Sequence, residues 1–441
     1  MSSFTPVRTS APLLEGEDAA RALAAVRAIA AWLRGREEPS PPAGPDARAA
    51  SLAEGDAGIA VFFAALARSG LEPAAGHDAE RHLNRAIDAV RSVVMPDSLH
   101  CGFPGVAWAF QHVERLECTG PDAMPDAAAP PDACEGIDRV LADHVGRAPW
   151  LRDFDVVNGL AGLAAYALER LPSLSARRVL ERVVARLEEL AEPAGDGLAW
   201  RTPPARLASE RTDGRTHGPF NLGVAHGVPG VLAALAAAHE AGVESERTAR
   251  LLEGGTRWLL AQRLPAGAGA WFPHSVGSDA SIEPSRLAWC YGDLGIAATL
   301  HLVARVLPRP EWDAVAVEIA RDAARRSRAD GAVRDAGVCH GAAGIAQLFH
   351  RLGRGLGDPE LMDATRRWLG DLLDRRDPSL GAAGFPAWGP ADDGRWGWSE
   401  ERGLLSGVSG VGLVLLGALE PALMGWDRTL LVSTRTAPDP R

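Results

Sequence analysis

Apolar residues recur along this chain in two alternating patterns. Seven stretches are apolar nearly all round a helix, as expected of helices buried on every side. They read GDAGIAVFFAAL from Gly55, GFPGVAWAF from Gly102, GLAGLAAYAL from Gly159 and GVPGVLAALAAA from Gly227. GDLGIAATLHLV from Gly292, GAAGIAQLF from Gly341 and GVSGVGLVLLGAL from Gly407 complete the set. Each opens with Gly-x-x-Gly. Between them run segments with one apolar and one charged face, such as ARALAAVRAIAAWL, AERHLNRAIDAVRSVV, ARRVLERVVARLEELAE and PELMDATRRWLGDLLD. A weaker one, GIDRVLADHV, precedes the third motif. The order is amphipathic helix, then buried helix, seven times.

The first glycines lie 47, 57, 68, 65, 49 and 66 residues apart. Self-similarity at such a period is the mark of a repeat architecture. The simplest packing is two concentric rings, with buried helices inside and amphipathic helices outside. Glycines at the inner helix N-termini let those ends crowd together without Cβ clashes. All seven motifs then share one end of the ring, and the residues before them converge on its axis.

Exceptions to the pattern are predicted loops. Residues 39–48 and 119–133 are Pro/Ala-rich. The polar stretch 195–222 has no helical period, and a loop that long is often functional. The tail 434–441 reads as frayed. No domain boundary is visible, so 1–441 is read as one all-α domain.

Composition agrees. The chain has 441 residues, 46% hydrophobic and 23% charged, with 10 Phe and only 2 Tyr. That suits a globular protein rather than a disordered one. Strand-like runs are scarce. No apolar run reaches membrane-spanning length, and the N-terminus lacks a secretory signal pattern. A net charge of −11 argues against a general nucleic-acid binder and is compatible with a basic peptide partner. Five sparse cysteines make a disulfide framework unexpected and a reducing cytoplasm the default.

The candidate chemistry sits just before the glycines. Cys290 and Cys339 both stand two residues before a first glycine, and His340 follows Cys339. Two cysteines and a histidine form a three-ligand zinc site with the fourth position open, as in catalytic zinc. His226 precedes Gly227 and is a candidate acid or base, because imidazole titrates near neutrality. Taken alone it reads as a satisfied core histidine, and its place at the axis end makes it the candidate. Asp155 caps the following helix or orients a histidine. Arg286 is a surface arginine or a fixed charge near the metal. Cys101, after His100, is one residue out of the cysteine register. Cys118 and Cys134 border the Pro/Ala loop and are read as incidental.

With these residues in hand, the chain resembles the lanthionine synthetase C family, the LanC-like cyclases. The matching segments are DFDVVNGLAG (153–162), FNLGVAHGVPG (220–230), SRLAWCYGDLG (285–295), GVCHGAAG (337–344) and WDRTLLVS (426–433). Leu294 departs from the proline many members carry there. The resemblance implies an α/α toroid of seven helical hairpins, with one Zn2+ on Cys290, Cys339 and His340. It implies His226 as acid/base, Asp155 as its companion, and Arg286 and Tyr291 flanking the first ligand. The implied reaction is addition of a peptide cysteine thiol to dehydroalanine or dehydrobutyrine, giving a lanthionine or methyllanthionine ring. The implied partners are a dehydrated precursor peptide, a dehydratase and an exporter. Two alternatives stand beside it: addition of glutathione to dehydroamino acids in proteins, and a non-catalytic toroid that binds peptides.

Overall fold

A computed structural model describes residues 11–36, 46–118, 132–202, 218–277, 284–390 and 394–433. In it each Gly-x-x-Gly motif opens a largely buried helix. These inner helices are α3 (Asp56–Arg68), α5 (Phe103–Cys118), α7 (Leu160–Arg170), α9 (Val228–Glu240), α11 (Asp293–Val306), α13 (Ala342–Leu356) and α15 (Val408–Leu419). Each packs on the next, and α15 packs on α3, which closes the ring.

The outer elements are α1 (Gly16–Gly35), α4 (Ala75–Ser92), α6 (Glu135–Val145), α8 (Leu174–Leu190), α10 (Ser245–Leu260), α12 (Pro310–Arg325) and α14 (Pro359–Asp374), with a short α2 (Ala47–Ala50). Their apolar stripes face inward: α8 buries Val179, Leu180, Val183, Val184 and Leu187. Each fully buried Leu or Val of such a stripe contributes about 1.5–3 kcal/mol. Helix α14 starts where Pro359 fixes the first turn and the Asp358 carboxylate accepts from the Glu360 and Leu361 amides. The pairing adds a detail to the predicted order. Most inner helices pack chiefly on the outer helix that follows, and α1 packs on the last inner helix, α15. Helix α6 instead lies mainly against α8.

The glycines are required by close approach. A Cβ on Gly344 would lie 1.8 Å from the Val338 carbonyl oxygen, because the residues before the helix fold back across its first turn. On Gly162 it would meet the Val156 oxygen at 2.2 Å and Leu99 Cβ of the preceding repeat at 3.0 Å. The same glycines therefore tighten each turn and bring neighbouring turns together.

Those turns are stitched into a circle of backbone hydrogen bonds. Leu405 N–H donates to the Ala53 carbonyl (3.1 Å), Ala53 to His100 (2.9 Å), and His100 to Val157 (3.4 Å). Val156 donates to Ala225 (3.1 Å), Ala225 to Cys290 (3.3 Å), Cys290 to Cys339 (3.2 Å), and Cys339 to Leu405 (2.8 Å). The expected convergence at one end of the ring is thus built from main chain, and every repeat contributes.

The C-terminal segment Pro421–Leu430 is a run of 3-10 turns that ties repeats together from inside. Buried Asp427 accepts from Gln347 and Arg351 of α13, and Arg428 pairs with Glu169 of α7. The Thr429 carbonyl lies 3.1 Å from His100 Nε2, and Leu430 accepts from Trp289 Nε1 at 2.9 Å.

Three antiparallel ribbons interrupt the helical pattern: β1 (Glu192–Ala194) with β2 (Gly197–Ala199), β3 (Phe220–Asn221) with β4 (Ser275–Val276), and β5 (Ala387–Pro390) with β6 (Trp396–Ser399). Two of them involve the stretch predicted to be an irregular loop at 195–222. Residues 39–45, 119–131, 203–217 and the tail 434–441 lie outside the described residues. Among the described residues, no helix is long and apolar enough to cross a membrane.

Candidate functional site

The backbone circle places chemistry by register. Position two before the first glycine lies on the circle and carries Cys290 and Cys339 in adjacent repeats. The next position carries His226, Tyr291 and His340. Cys101 occupies that second position, so His100 is the residue in register with the two cysteines.

Cys290, Cys339 and His340 offer ligand atoms that all lie within 4.8 Å of one another. His340 is oriented from behind. Its Nε2 lies 3.2 Å from the Trp388 carbonyl oxygen and 3.5 Å from Asp335 Oδ2, which also accepts from the Trp388 amide at 2.9 Å. With Nε2 so engaged, Nδ1 is left buried without a hydrogen-bond partner. A bare imidazole nitrogen at that depth carries a desolvation cost that a metal bond removes. Two sulfurs and that nitrogen are a soft donor set suited to zinc. The Cys290 thiol is held well below its ordinary value, first by the Cys339 thiol beside it and then by His340 and the Arg286 guanidinium, against the opposing effect of burial. Cys339 is pushed up by Cys290 and by burial.

Arg286 is half-buried, with Nη2 3.5 Å from Cys290 Sγ. It is a fixed charge at the sulfur and not an ordinary surface arginine. His226 Nδ1 lies 2.7 Å from Asp155 Oδ2, and Asp155 Oδ1 accepts from the Asn158 amide at 2.6 Å. Asp155 does not cap α7 itself, whose N-cap is Gly159 without a side-chain bond; one oxygen closes the turn before the helix and the other lies against His226 Nδ1. The His226 side chain is 34% exposed and Asp155 only 7%, so the imidazole is fixed from the protein side and open on the other. The Tyr291 ring lies 6.1 Å from that of His226. Burial, opposed by a hydrogen bond from Asn221, pushes its phenol up to about 12. Cys134 is buried away from these groups, and burial raises its thiol to about 11, in keeping with an incidental role.

The family described as "Lanthionine synthetase C-like protein" matches residues 46–431. The chain belongs to the lanthionine synthetase C-like family. That makes it a lanthionine synthetase-type enzyme by assignment. A solved structure titled "Nisin cyclase" matches with a TM-score of 0.67 at 18% identity, over 93% of this chain and 96% of that one. At that identity the likeness carries the fold, and it agrees with the closed helical ring.

Four residues around the LanC-like site escape the motif reading: Asp335 and Trp388 behind His340, and Asn221 and His274 beside Tyr291. Asn221 donates from Nδ2 to the Tyr291 hydroxyl at 2.8 Å, and the His274 ring meets Tyr291 edge-on at 5.5 Å. Asn221 stands inside the quoted segment FNLGVAHGVPG, which was its only signal. Trp388 and His274 lie on or beside ribbons, which no helical period announces.

Proposed function

We propose that this chain is a zinc-dependent lanthipeptide cyclase. It closes thioether rings by adding peptide cysteine thiols to dehydroalanine or dehydrobutyrine. The observation that carries the reading is the cluster of Cys290, Cys339 and His340, whose imidazole Nδ1 is buried without a hydrogen-bond partner.

Cys290, Cys339 and His340 would hold the metal. Bound there, zinc supplies a Lewis acid that lowers the pKa of a substrate thiol, which alone is only about 3% thiolate at pH 7. Two cysteine ligands offset most of the ion's charge, which leaves the substrate sulfur nucleophilic. The Arg286 guanidinium lies against Cys290 Sγ and favours its thiolate. His340 is fixed through Nε2 by Trp388 and Asp335, so its Nδ1 needs no reorientation.

Attack of the sulfur on Cβ forms the C–S bond and moves the double-bond electrons onto the carbonyl as an enolate. Cα then needs a proton. Asp155 holds His226 Nδ1, so Nε2 is the atom that delivers it. The proton lost by the thiol is replaced at Cα, and the peptide's mass is unchanged. Tyr291 and Arg286 are the groups available to the enolate oxygen. A dehydratase must precede this step. An exporter and a cytoplasmic setting complete the proposal.

The test pairs metal content with chemistry. Purified wild type, Cys290→Ala and Cys339→Ala are assayed for zinc, with circular dichroism on each. One zinc per chain, lost in both folded variants, together with loss of alkylatable thiol from a dehydrated peptide at constant mass, supports the proposal. Zinc retained in both variants, or a peptide that gains one glutathione in place of a ring, overturns it.

A further inference from the structure

Asn221, Gly223 and His274 each lie against Tyr291. Strand β3 ends at Asn221, and β4 follows His274. The ribbon is extended by a hydrogen bond from the Leu222 amide to the His274 carbonyl at 2.9 Å. Asp293 anchors the approach to β4 by accepting from the Trp271 and Phe272 amides at 2.9 and 3.0 Å. This wall is therefore tied to the first residue of α11, two residues beyond Tyr291.

Gly223 touches the ring itself. A Cβ there would lie 2.8 and 2.9 Å from Tyr291 Cδ1 and Cε1, and 2.3 Å from the Cys290 carbonyl oxygen. Any side chain at 223 would push the phenol out of place.

The Asn221 amide has one permitted orientation. The Gly223 N–H can only donate, and it lies 2.8 Å from the Asn221 side-chain oxygen. That atom is therefore Oδ1, and the amide nitrogen faces Tyr291. An amide NH2 cannot accept, so the Tyr291 oxygen accepts from it and the phenolic proton turns elsewhere. Among the described residues, no acceptor takes that proton. Arg286, the other donor available to the enolate, directs one Nη2 N–H at Cys290 Sγ and keeps its remaining N–H groups.

We propose that Asn221 is a positioning residue that turns the Tyr291 hydroxyl into a fixed hydrogen-bond donor for the enolate oxygen, with Gly223 holding the ring in register. This rests on the cyclase reading above. No covalent bond is made or broken at Tyr291; its O–H shares a proton with the oxygen as negative charge develops there.

Asn221→Asp is nearly isosteric and reverses the polarity. Its carboxylate accepts from both the Gly223 amide and the Tyr291 hydroxyl, which draws the phenolic proton away from the substrate. The chain has two tyrosines, Tyr166 and Tyr291, so protein labelled with 3-fluorotyrosine gives two fluorine resonances. The Tyr291→Phe variant assigns them. Asn221→Asp is expected to move the Tyr291 resonance and leave that of Tyr166 in place. Gly223→Ala is expected to move it as well. In the ring-closing assay, Asn221→Asp should lower kcat by about ten- to a hundredfold with KM little changed. Added to Tyr291→Phe, it should cause no further loss, because its effect passes through the hydroxyl.

Asn221→Ala, which removes the donor without adding charge, gives a second, smaller shift if the aspartate variant fails to fold. An unmoved Tyr291 resonance in folded Asn221 variants overturns the proposal. So does a kcat loss as large in the Tyr291→Phe background as in wild type, since a new charge then acts on the site directly. If the wild-type protein closes no ring, the cyclase reading fails separately. The fluorine spectra still decide whether Asn221 sets Tyr291.

Discussion

Asp155 offers a clean separation of structure from chemistry, because its two oxygens do different work. Oδ1 accepts from the Asn158 amide and Oδ2 faces His226 Nδ1. Replacement by alanine removes both. Losing a turn cap of this kind costs about 0.5–2 kcal/mol. At about 2.1 cal/mol/K of unfolding entropy per residue, a chain this long loses only about 0.5–2 °C of Tm for that cost. Replacement by asparagine keeps the cap, since the amide oxygen accepts from Asn158 as before. The amide NH2 then faces His226 Nδ1 and donates to it. That selects the imidazole tautomer with its proton on Nε2 and removes the carboxylate that balances an imidazolium. Asp155→Asn is thus expected to melt with the wild type and to close rings about 10²–10⁴-fold more slowly. The assay is single-turnover loss of alkylatable thiol from a dehydrated peptide, beside thermal melts of all three proteins. Asp155→Asn at a rate within about threefold of wild type would refute the orienting role and leave Asp155 a cap.

Three further outcomes are expected. Asp335→Asn disturbs the carboxylate that holds Trp388 and faces His340 Nε2, so zinc affinity measured by chelator competition should weaken about 10–100-fold; an unchanged affinity would remove Asp335 from the support of the site. Gly344→Ala forces a Cβ to within 1.8 Å of the Val338 oxygen and should destabilise by about 3 kcal/mol, whereas Gly370→Ala in α14, with open space around it, should stabilise by about 0.5–1 kcal/mol; equal denaturation midpoints would refute the close-approach account. The third concerns acid. Burial pushes the Glu169 carboxyl up, but hydrogen bonds from His112 and Arg428 and the charge of Arg428 outweigh it and hold it far below the usual carboxylate range. Its stabilisation is full above the unfolded value near about 4 and is lost as pH falls through the lower folded value. Arg428→Ala should therefore raise the pH of acid unfolding followed by circular dichroism, with the largest gap from wild type near neutrality and convergence at very low pH. An unshifted midpoint would count against the ion pair.

Much of this protein is written locally. Period and glycine spacing determine the alternation of outer and inner helices, because burial on one face or on all faces leaves its mark within a dozen residues. Register determines that Cys290 and Cys339 are equivalent, and the closed backbone circle carries that equivalence to neighbouring turns. His226 and Asp155 lie 71 residues apart, yet both are legible from their places before a glycine. The tertiary structure alone decides what stands behind these groups. Trp388 reaches His340 from a ribbon 48 residues further on, and Asn221 reaches Tyr291 across 70 residues. Neither contact has a period, and each depends on how a loop returns over the ring. The bare Nδ1 of His340, the fixed amide of Asn221 and the filled interior around Asp427 and Arg428 are properties of neighbours in space. A chain of motifs names the candidate groups; the packing around them fixes which atom of each is held and which is left open.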